Sequence, residues 1–307
     1  MALLRSALLA ASQNPWLARQ VRDRAFAQRA VRRFMPGEDL RSALDASQRL
    51  AATNMSTVLT QLGENVTDRG EAEAVTRHYA DVLEAIARDK VPTHISVKPT
   101  HLGLDLGPDV CAPQLDAILS RAAASGNFVW IDMEASPYVD RTLDLYRKAR
   151  STHSNVGLCL QAYLYRTPDD LESLLSLKPA IRLVKGAYRE PPSIAFPRKA
   201  DVDERYFKLA MRLLEARAQQ VRAPGMGTHD IALIDRILAG ARSKGVGADG
   251  LEIQMLYGIR TRDQYRYAAA GHKVRVLISY GSAWFAWYMR RLAERPANLW
   301  FVVRSLL

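Results

Sequence analysis

Cysteine is scarce, with only Cys111 and Cys159 in 307 residues. No CxxC or Cys/His spacing accompanies them, which excludes a disulfide framework and a zinc site and leaves packed thiols. Long apolar runs are also missing, and no stretch approaches the roughly 18 residues needed to cross a bilayer. Acidic residues are in deficit, 32 Asp and Glu against 43 Lys and Arg, for a net charge of +11. The deficit is uneven: residues 1–50 carry nine Arg against four acids, residues 259–307 nine Lys/Arg against two, and the middle 25 against 26. No zinc-finger, RRM or helix-turn-helix signature goes with these basic ends, so no nucleic-acid partner is expected. Three readings of the charge stand: an anionic membrane surface, an anionic substrate drawn to one positive end, and arginines on solvated helix faces.

At 307 residues and 48% hydrophobic, the chain can bury a large core. Its start, Met1 to Ser12, bears Arg5 and the first acid comes only at Asp23, as in a transit peptide. Helical patterning that continues through Val31 and Phe34 favours an ordinary first helix. Residues 1–55 therefore read as an N-terminal helical segment broken at Pro36-Gly37, and residues 56–307 as a catalytic domain.

Within that domain, short β-branched or aromatic runs recur at Val58-Leu59, Ile95-Val97, Phe128-Ile131, Val156-Leu160, Ile181-Val184, Met226-Thr228, Leu251-Met255 and Val274-Ile278. Amphipathic stretches lie between them: Ala72–Ala87, Gln114–Ala124, Tyr138–Ala149, Glu204–Gln219 and Ile231–Ala241. Eight strand-helix units in about 250 residues fit an α/β fold of the (β/α)8 type better than an open sheet. In such barrels chemistry sits at the strand C-termini. The polar residues there are Lys98, Asp132, Glu134, Gln161, Lys185, Tyr188, Thr228, His229, Asp230, Gln254 and Tyr257.

Gly245-Val246-Gly247-Ala248-Asp249-Gly250 matches G-x-G-x-x-G formally, but it follows a helix and precedes a strand. A dinucleotide fingerprint needs the reverse order, so this is a helix-to-strand loop. Arg182 to Tyr188 is more informative. It sets Arg182 and Lys185 at a strand end, with Gly186 permitting close approach of a ligand to the backbone. Two such cations suit a flavin and its diphosphate. His229, with no Cys or second His nearby, suits a hydrogen-bonding cofactor contact rather than a metal ligand. Near the C-terminus, Arg290 and Glu294 share a helix face, as do Trp287 and Arg291. The adjacent Arg290 and Arg291 could grip a carboxylate bidentately, or form a solvated basic turn before Pro296.

Ser96-Val97-Lys98, Ile131-Asp132-Met133-Glu134, Gln161-Ala162-Tyr163, Arg182 to Tyr188, Thr228-His229-Asp230, Gln254 to Gly258 and Tyr288 to Asn298 occur in order. With these motifs the chain resembles the flavin-dependent proline dehydrogenases, especially their short bacterial form, from about residue 50 to the C-terminus. The resemblance implies a distorted TIM-like barrel preceded by N-terminal helices, with a last helix over the barrel mouth. It implies FAD contacts from Gln161, Arg182, Val184, Lys185, Gly186, Thr228, His229 and Gln254, with Glu294 close to the cofactor. Lys98, Arg290 and Arg291 would hold the substrate carboxylate, while Asp132, Tyr188 and Leu256 would shape the pocket. Glu64 would pair with Arg291 as a gate. The implied reaction is hydride transfer from a cyclic secondary-amine acid to flavin, with membrane quinone as acceptor. The implied location is cytoplasmic, with peripheral contact at the inner membrane.

Two positions depart from the family. Leu277 in Arg275-Val276-Leu277-Ile278-Ser279-Tyr280-Gly281 stands where the family has a tyrosine, and Trp287 replaces a second. The carboxylate clamp is thus intact and the ring side of the pocket altered. Proline, hydroxyproline, pipecolate or a related acid all fit this reading. The competing reading is a basic binding or scaffold module that keeps the barrel without amine oxidation.

Overall fold

The computed structural model describes residues 31–285. Its centre is a set of eight parallel strands closed into a barrel in sequence order. They are β1 (Met55–Gln61), β2 (Thr93–Val97), β3 (Val129–Ile131), β4 (Val156–Gln161), β5 (Ile181–Val184), β6 (Gly225–Gly227), β7 (Glu252–Leu256) and β8 (Lys273–Tyr280). All eight include or overlap the runs singled out from the sequence. Closure is made by β1 on β8, in register from Met55 opposite Val274 to Gln61 opposite Tyr280.

Helix α1 (Leu40–Ala51) precedes the barrel. Around it run α2 (Arg69–Asp89), α3 (Pro108–Ala124), α4 (Val139–Thr152), α5 (Thr167–Leu174), α6 (Lys199–Glu215), α7 (Ile231–Ser243) and α8 (Thr261–Ala269). The short α5 and α8 escape the sequence reading because two turns offer too little periodicity to recognise. Helix α6 starts five residues before the expected Glu204, and Arg217–Gln219 forms a separate 3-10 turn. Asp39, Asp68 and Asp230 cap α1, α2 and α7 by accepting the backbone N–H of Ser42, Glu71 and Leu233. The Gly245–Gly250 stretch lies between the end of α7 and the start of β7, as its context requires. Pro36-Gly37 falls in the irregular segment before α1.

Strand alternation divides the buried residues in two. One set, including Leu59, Ile95, Val129, Leu158, Leu183, Met226, Ile253 and Val276, packs with the surrounding helices in the main hydrophobic core. The other set faces the barrel axis and is unusually polar: Ser96, Arg182, Gln254 and Arg275 are all buried. Apolar filling is confined to a small cluster of Val58, Phe128, Trp130 and Ala180, with Leu277 against it. A Cβ at Gly157 would come within 2.6 Å of the Trp130 ring, so this glycine makes room for the indole inside the barrel. At the lower end Arg275 is fixed by a two-point ion pair to Glu252 at 2.8 and 3.0 Å and donates to the Thr57 carbonyl at 2.8 Å. The barrel axis is therefore a largely polar column inside the apolar shell formed between strands and helices.

Candidate active site

At the C-terminal mouth this column opens into a cavity of 410 Å3. Its wall includes Lys98, Asp132, Gln161, Arg182, Val184, Lys185, Gly186, Tyr188, Thr228, His229, Gln254 and Leu256, every residue within β2–β7 and the turns after them to which the family resemblance gives a role. Leu277 lines it too. A chamber of 130 Å3 is bordered by Glu64, Thr60 and Ser279 and shares Lys98, Asp132, Tyr188, Leu256 and Leu277 with the larger space. Arg290, Arg291, Glu294 and Trp287, together with most of the helix expected over the mouth, lie outside the described residues.

The floor is built by three inward positions on different strands. Arg182 on β5 forms an ion pair with Asp132, just past β3, and donates to Ser96 Oγ on β2 at 3.0 Å. Ser96 Oγ in turn donates to Asp132 Oδ1 at 2.8 Å. The guanidinium also lies over Trp130, 5.2 Å from the ring centroid. Burial opposes the charge on Arg182, but Asp132 outweighs it and the pKa stands above the ordinary arginine value. Lys98 Nζ reaches the other Asp132 oxygen at 3.9 Å.

The rim beside β5 and β6 carries a second cluster. Lys185 Nζ bonds Asp203 and Asp230, the latter at 2.8 Å, and Lys199 binds the same two carboxylates. Burial works against ionised Asp230, and the two ammonium groups overcome it, holding the carboxyl well below the usual range. Lys199 and Asp203 were not singled out in the sequence, although their i,i+4 spacing in the first turns of α6 was available as a signal. Gly186 next to Lys185 has φ +117°, and a Cβ there would meet the Tyr163 ring at 2.3 Å. Only glycine fits.

His229 Nε2 accepts the backbone N–H of Leu256 at 2.9 Å. A neutral ring therefore carries its proton on Nδ1. Glu134 departs from its expected place among the strand-end candidates. It does not line the cavity but sits behind it, accepting the Thr100 N–H at 2.9 Å and the Thr100 hydroxyl at 2.6 Å. It thereby fixes the 3-10 turn Pro99–Leu102 that follows Lys98. Burial pushes its pKa up to about 7 against the Thr100 hydrogen bonds. Tyr257 likewise packs against the core instead of lining the cavity.

Three buried polar atoms on the cavity side chains have no hydrogen-bond partner among the described residues: Arg182 Nη1, Gln161 Oε1 and Gln254 Oε1. Such atoms are costly unless a ligand or water completes them.

Residues 43–304 match the family described as proline dehydrogenase. The chain belongs to that family. It is 36% identical over 310 residues to proline dehydrogenase 1 of Bacillus subtilis strain 168, covering 99% of each chain. It is 36% identical over 277 residues to proline dehydrogenase 2 of the same strain, covering 90% of each. With the proline dehydrogenase of Deinococcus radiodurans the identity is 35% over 310 residues, 99% of this chain and 98% of the other. Among solved structures, proline utilization A of Bdellovibrio bacteriovorus inactivated by N-propargylglycine superposes with a TM-score of 0.81 at 23% identity. That match covers 87% of this chain and 33% of the other. A mutant of proline utilization A from Bradyrhizobium japonicum gives 0.73 at 24% identity, with 91% and 32% covered. The chain spans about a third of those two proteins, and the likeness establishes the shared barrel. Members of the proline dehydrogenase family are flavin-dependent, and the cavity has the donors, acceptors and cations that a flavin requires. Among the described residues no helix is long and apolar enough to cross a membrane.

Proposed function

We propose that this protein is an FAD-dependent oxidoreductase that converts proline, or a closely related cyclic secondary-amine acid, to its imine, which for proline is 1-pyrroline-5-carboxylate. One observation carries this reading beyond family membership: the polar side chains of Gln161, Arg182 and Gln254 line one cavity together with the cations of Lys98 and Lys185. A flat ring rich in nitrogen and oxygen acceptors and N–H donors matches the hydrogen-bonding groups and cations that these side chains carry. The 410 Å3 at the barrel mouth is ample for such a ring with a small amino acid beside it.

In this reading Gln161, Arg182, Val184, Lys185, Gly186, Thr228, His229 and Gln254 hold FAD, with Glu294 beside it. When bound, FAD supplies the acceptor for the hydride that leaves the substrate α-carbon. Lys98, Arg290 and Arg291 fix the substrate carboxylate, which orients the α C–H and lowers the entropic part of the barrier. The substrate reacts with its nitrogen deprotonated, because the nitrogen lone pair stabilises the developing iminium. Arg182 presents positive charge to the ring system and Asp132 keeps it oriented, a preorganised arrangement that needs no rearrangement during reaction. Tyr188, Leu256 and Leu277 form walls that exclude water, and Glu64 pairs with Arg291 as a gate. Membrane quinone is the electron acceptor, reached by peripheral contact of the basic chain ends with the cytoplasmic face of the inner membrane.

The test is anaerobic titration of the FAD-loaded protein with proline, hydroxyproline and pipecolate. Bleaching of the flavin by at least one is expected. A protein that takes up no FAD, or whose flavin no cyclic amino acid reduces, overturns the reading in favour of a non-catalytic barrel.

A further inference from the structure

The opposite end of the barrel holds a second polar hollow of 390 Å3, lined by residues that include His94, Phe128, Ser154, Asn155 and Arg222. It shares no residue with the flavin cavity, and no Asp or Glu contributes to its wall. His94 stands near the start of β2, the strand whose far end leads to Lys98. Arg222 lies in the loop before β6.

The hydrogen bonds of His94 contain a conflict. The Trp130 indole N–H donates to His94 Nδ1 at 3.3 Å. Since an indole can only donate, Nδ1 must present its lone pair, and the neutral ring carries its proton on Nε2. Arg222 Nη2 faces that nitrogen at 3.5 Å. A guanidinium also can only donate. Two N–H groups thus converge with no acceptor between them among the described residues. Moving the proton to Nδ1 transfers the conflict to Trp130, and an imidazolium creates it on both sides. Burial, followed by the charges of Arg275, Arg222 and Arg182, lowers the His94 pKa well below its ordinary value and so favours the neutral ring.

Arg222 stands on the wall of the hollow, exposed to solvent. Its guanidinium stacks over Phe128, 4.6 Å from the ring centroid, and makes no ion pair among the described residues. Desolvation by its packed neighbours and the like charge of Arg275 lower its pKa, and the charge of Glu252 works against both. A water molecule or an oxyanion could accept from both donors, and the oxyanion gains a charge-assisted bond to the guanidinium as well.

We propose that this hollow binds a small oxyanion, a carboxylate or a phosphate, held between the N–H of Arg222 Nη2 and the N–H of His94 Nε2, with the Ser154 hydroxyl on the wall. The site is distinct from the carboxylate clamp at the mouth and lies at the other end of the same polar column.

The experiment compares FAD-loaded wild type, Arg222→Gln and Arg222→Lys. Thermal unfolding and calorimetric binding are measured with inorganic phosphate and with acetate, ionic strength being held constant with chloride. Arg222 is exposed, so both variants are expected to fold and bind FAD. Phosphate, acetate or both should raise the wild-type Tm above the chloride control, and the anion that does so identifies the source. Arg222→Gln should weaken that binding at least tenfold, and Arg222→Lys by less. In wild type, nitrogen NMR of His94 should place the proton on Nε2 and report a shift of that nitrogen on anion addition. Equal responses in wild type and Arg222→Gln, or no effect of either anion beyond chloride, would overturn the proposal.

Discussion

Arg182 and Asp132 meet inside the barrel from strands separated by β4, and their ion pair joins the cavity floor to the Ser96 hydroxyl on β2. Arg182 is only 3% exposed, so its charge depends on that carboxylate. Removing Asp132 leaves a buried cation without its counter-ion, a loss of about 3–5 kcal/mol in comparable pairs. Asp132→Ala is therefore expected to lower stability by that order in urea unfolding. Asp132→Asn, which keeps the Ser96 hydrogen bond, should lose less. A loss under about 1 kcal/mol in Asp132→Ala would mean that Arg182 is balanced by another group.

Lys185 gives a way to separate cofactor binding from structure. It is shared between Asp203 and Asp230 with Lys199, so Lys185→Met leaves two carboxylates on one ammonium. That variant should be less stable and retain less FAD. Adding Asp203→Asn should restore most of the stability and none of the FAD. Recovery of both, followed by flavin absorbance and thermal unfolding, would make Lys185 a structural residue only.

Glu134 and His101 predict a pH dependence with opposing signs. Glu134 titrates at about 7 in the folded chain against 4.5 as its reference, so folding favours its protonated form. Its contribution is complete below pH 4.5 and is lost as pH rises through 7. His101 is lowered to about 4 from 6.5 by burial and by Lys98, so the unfolded chain binds more protons between those values. Its effect makes stability rise with pH over that window. In wild type the two slopes oppose each other. Glu134→Gln removes the falling one, so its stability relative to wild type should improve by about 2–3 kcal/mol from pH 5 to pH 7. Denaturant midpoints at both pH values test this, and parallel changes in the two proteins would contradict it.

Leu277 borders both the main cavity and the chamber next to Glu64, Thr60 and Ser279. A larger residue there should restrict the ring side of the substrate pocket and leave Lys98 untouched. Leu277→Tyr is expected to raise kcat/KM for proline relative to pipecolate by about 10- to 100-fold, the scale of one methylene in a closed pocket. An unchanged ratio would place the substrate ring away from residue 277.

Most of the frame was legible before the structure. Short apolar, β-branched or aromatic runs marked all eight strands, and the polar residues ending them marked the mouth. The motifs around Arg182, His229 and Gln254 located the cavity because each is local in sequence. Glu134 was misplaced for the same reason: at a strand end it reads like Asp132, and only its hydrogen bonds to Thr100 show that it faces the turn behind Lys98.

The sequence by itself determined the strand order, five of the helices around the barrel, the polar residues that end the strands and the place of Gly186 beside Lys185. Tertiary structure alone decided which of those polar residues meet. Arg182 is 50 positions from Asp132 and 86 from Ser96, and His94 is 128 from Arg222. Barrel closure brings residues of similar height together from distant strands, so neither the ion pair of the floor nor the conflict at His94 lies within any local window of the chain. Charge balance and hydrogen-bond direction, which depend on distance in space, then set what each end of the column can bind.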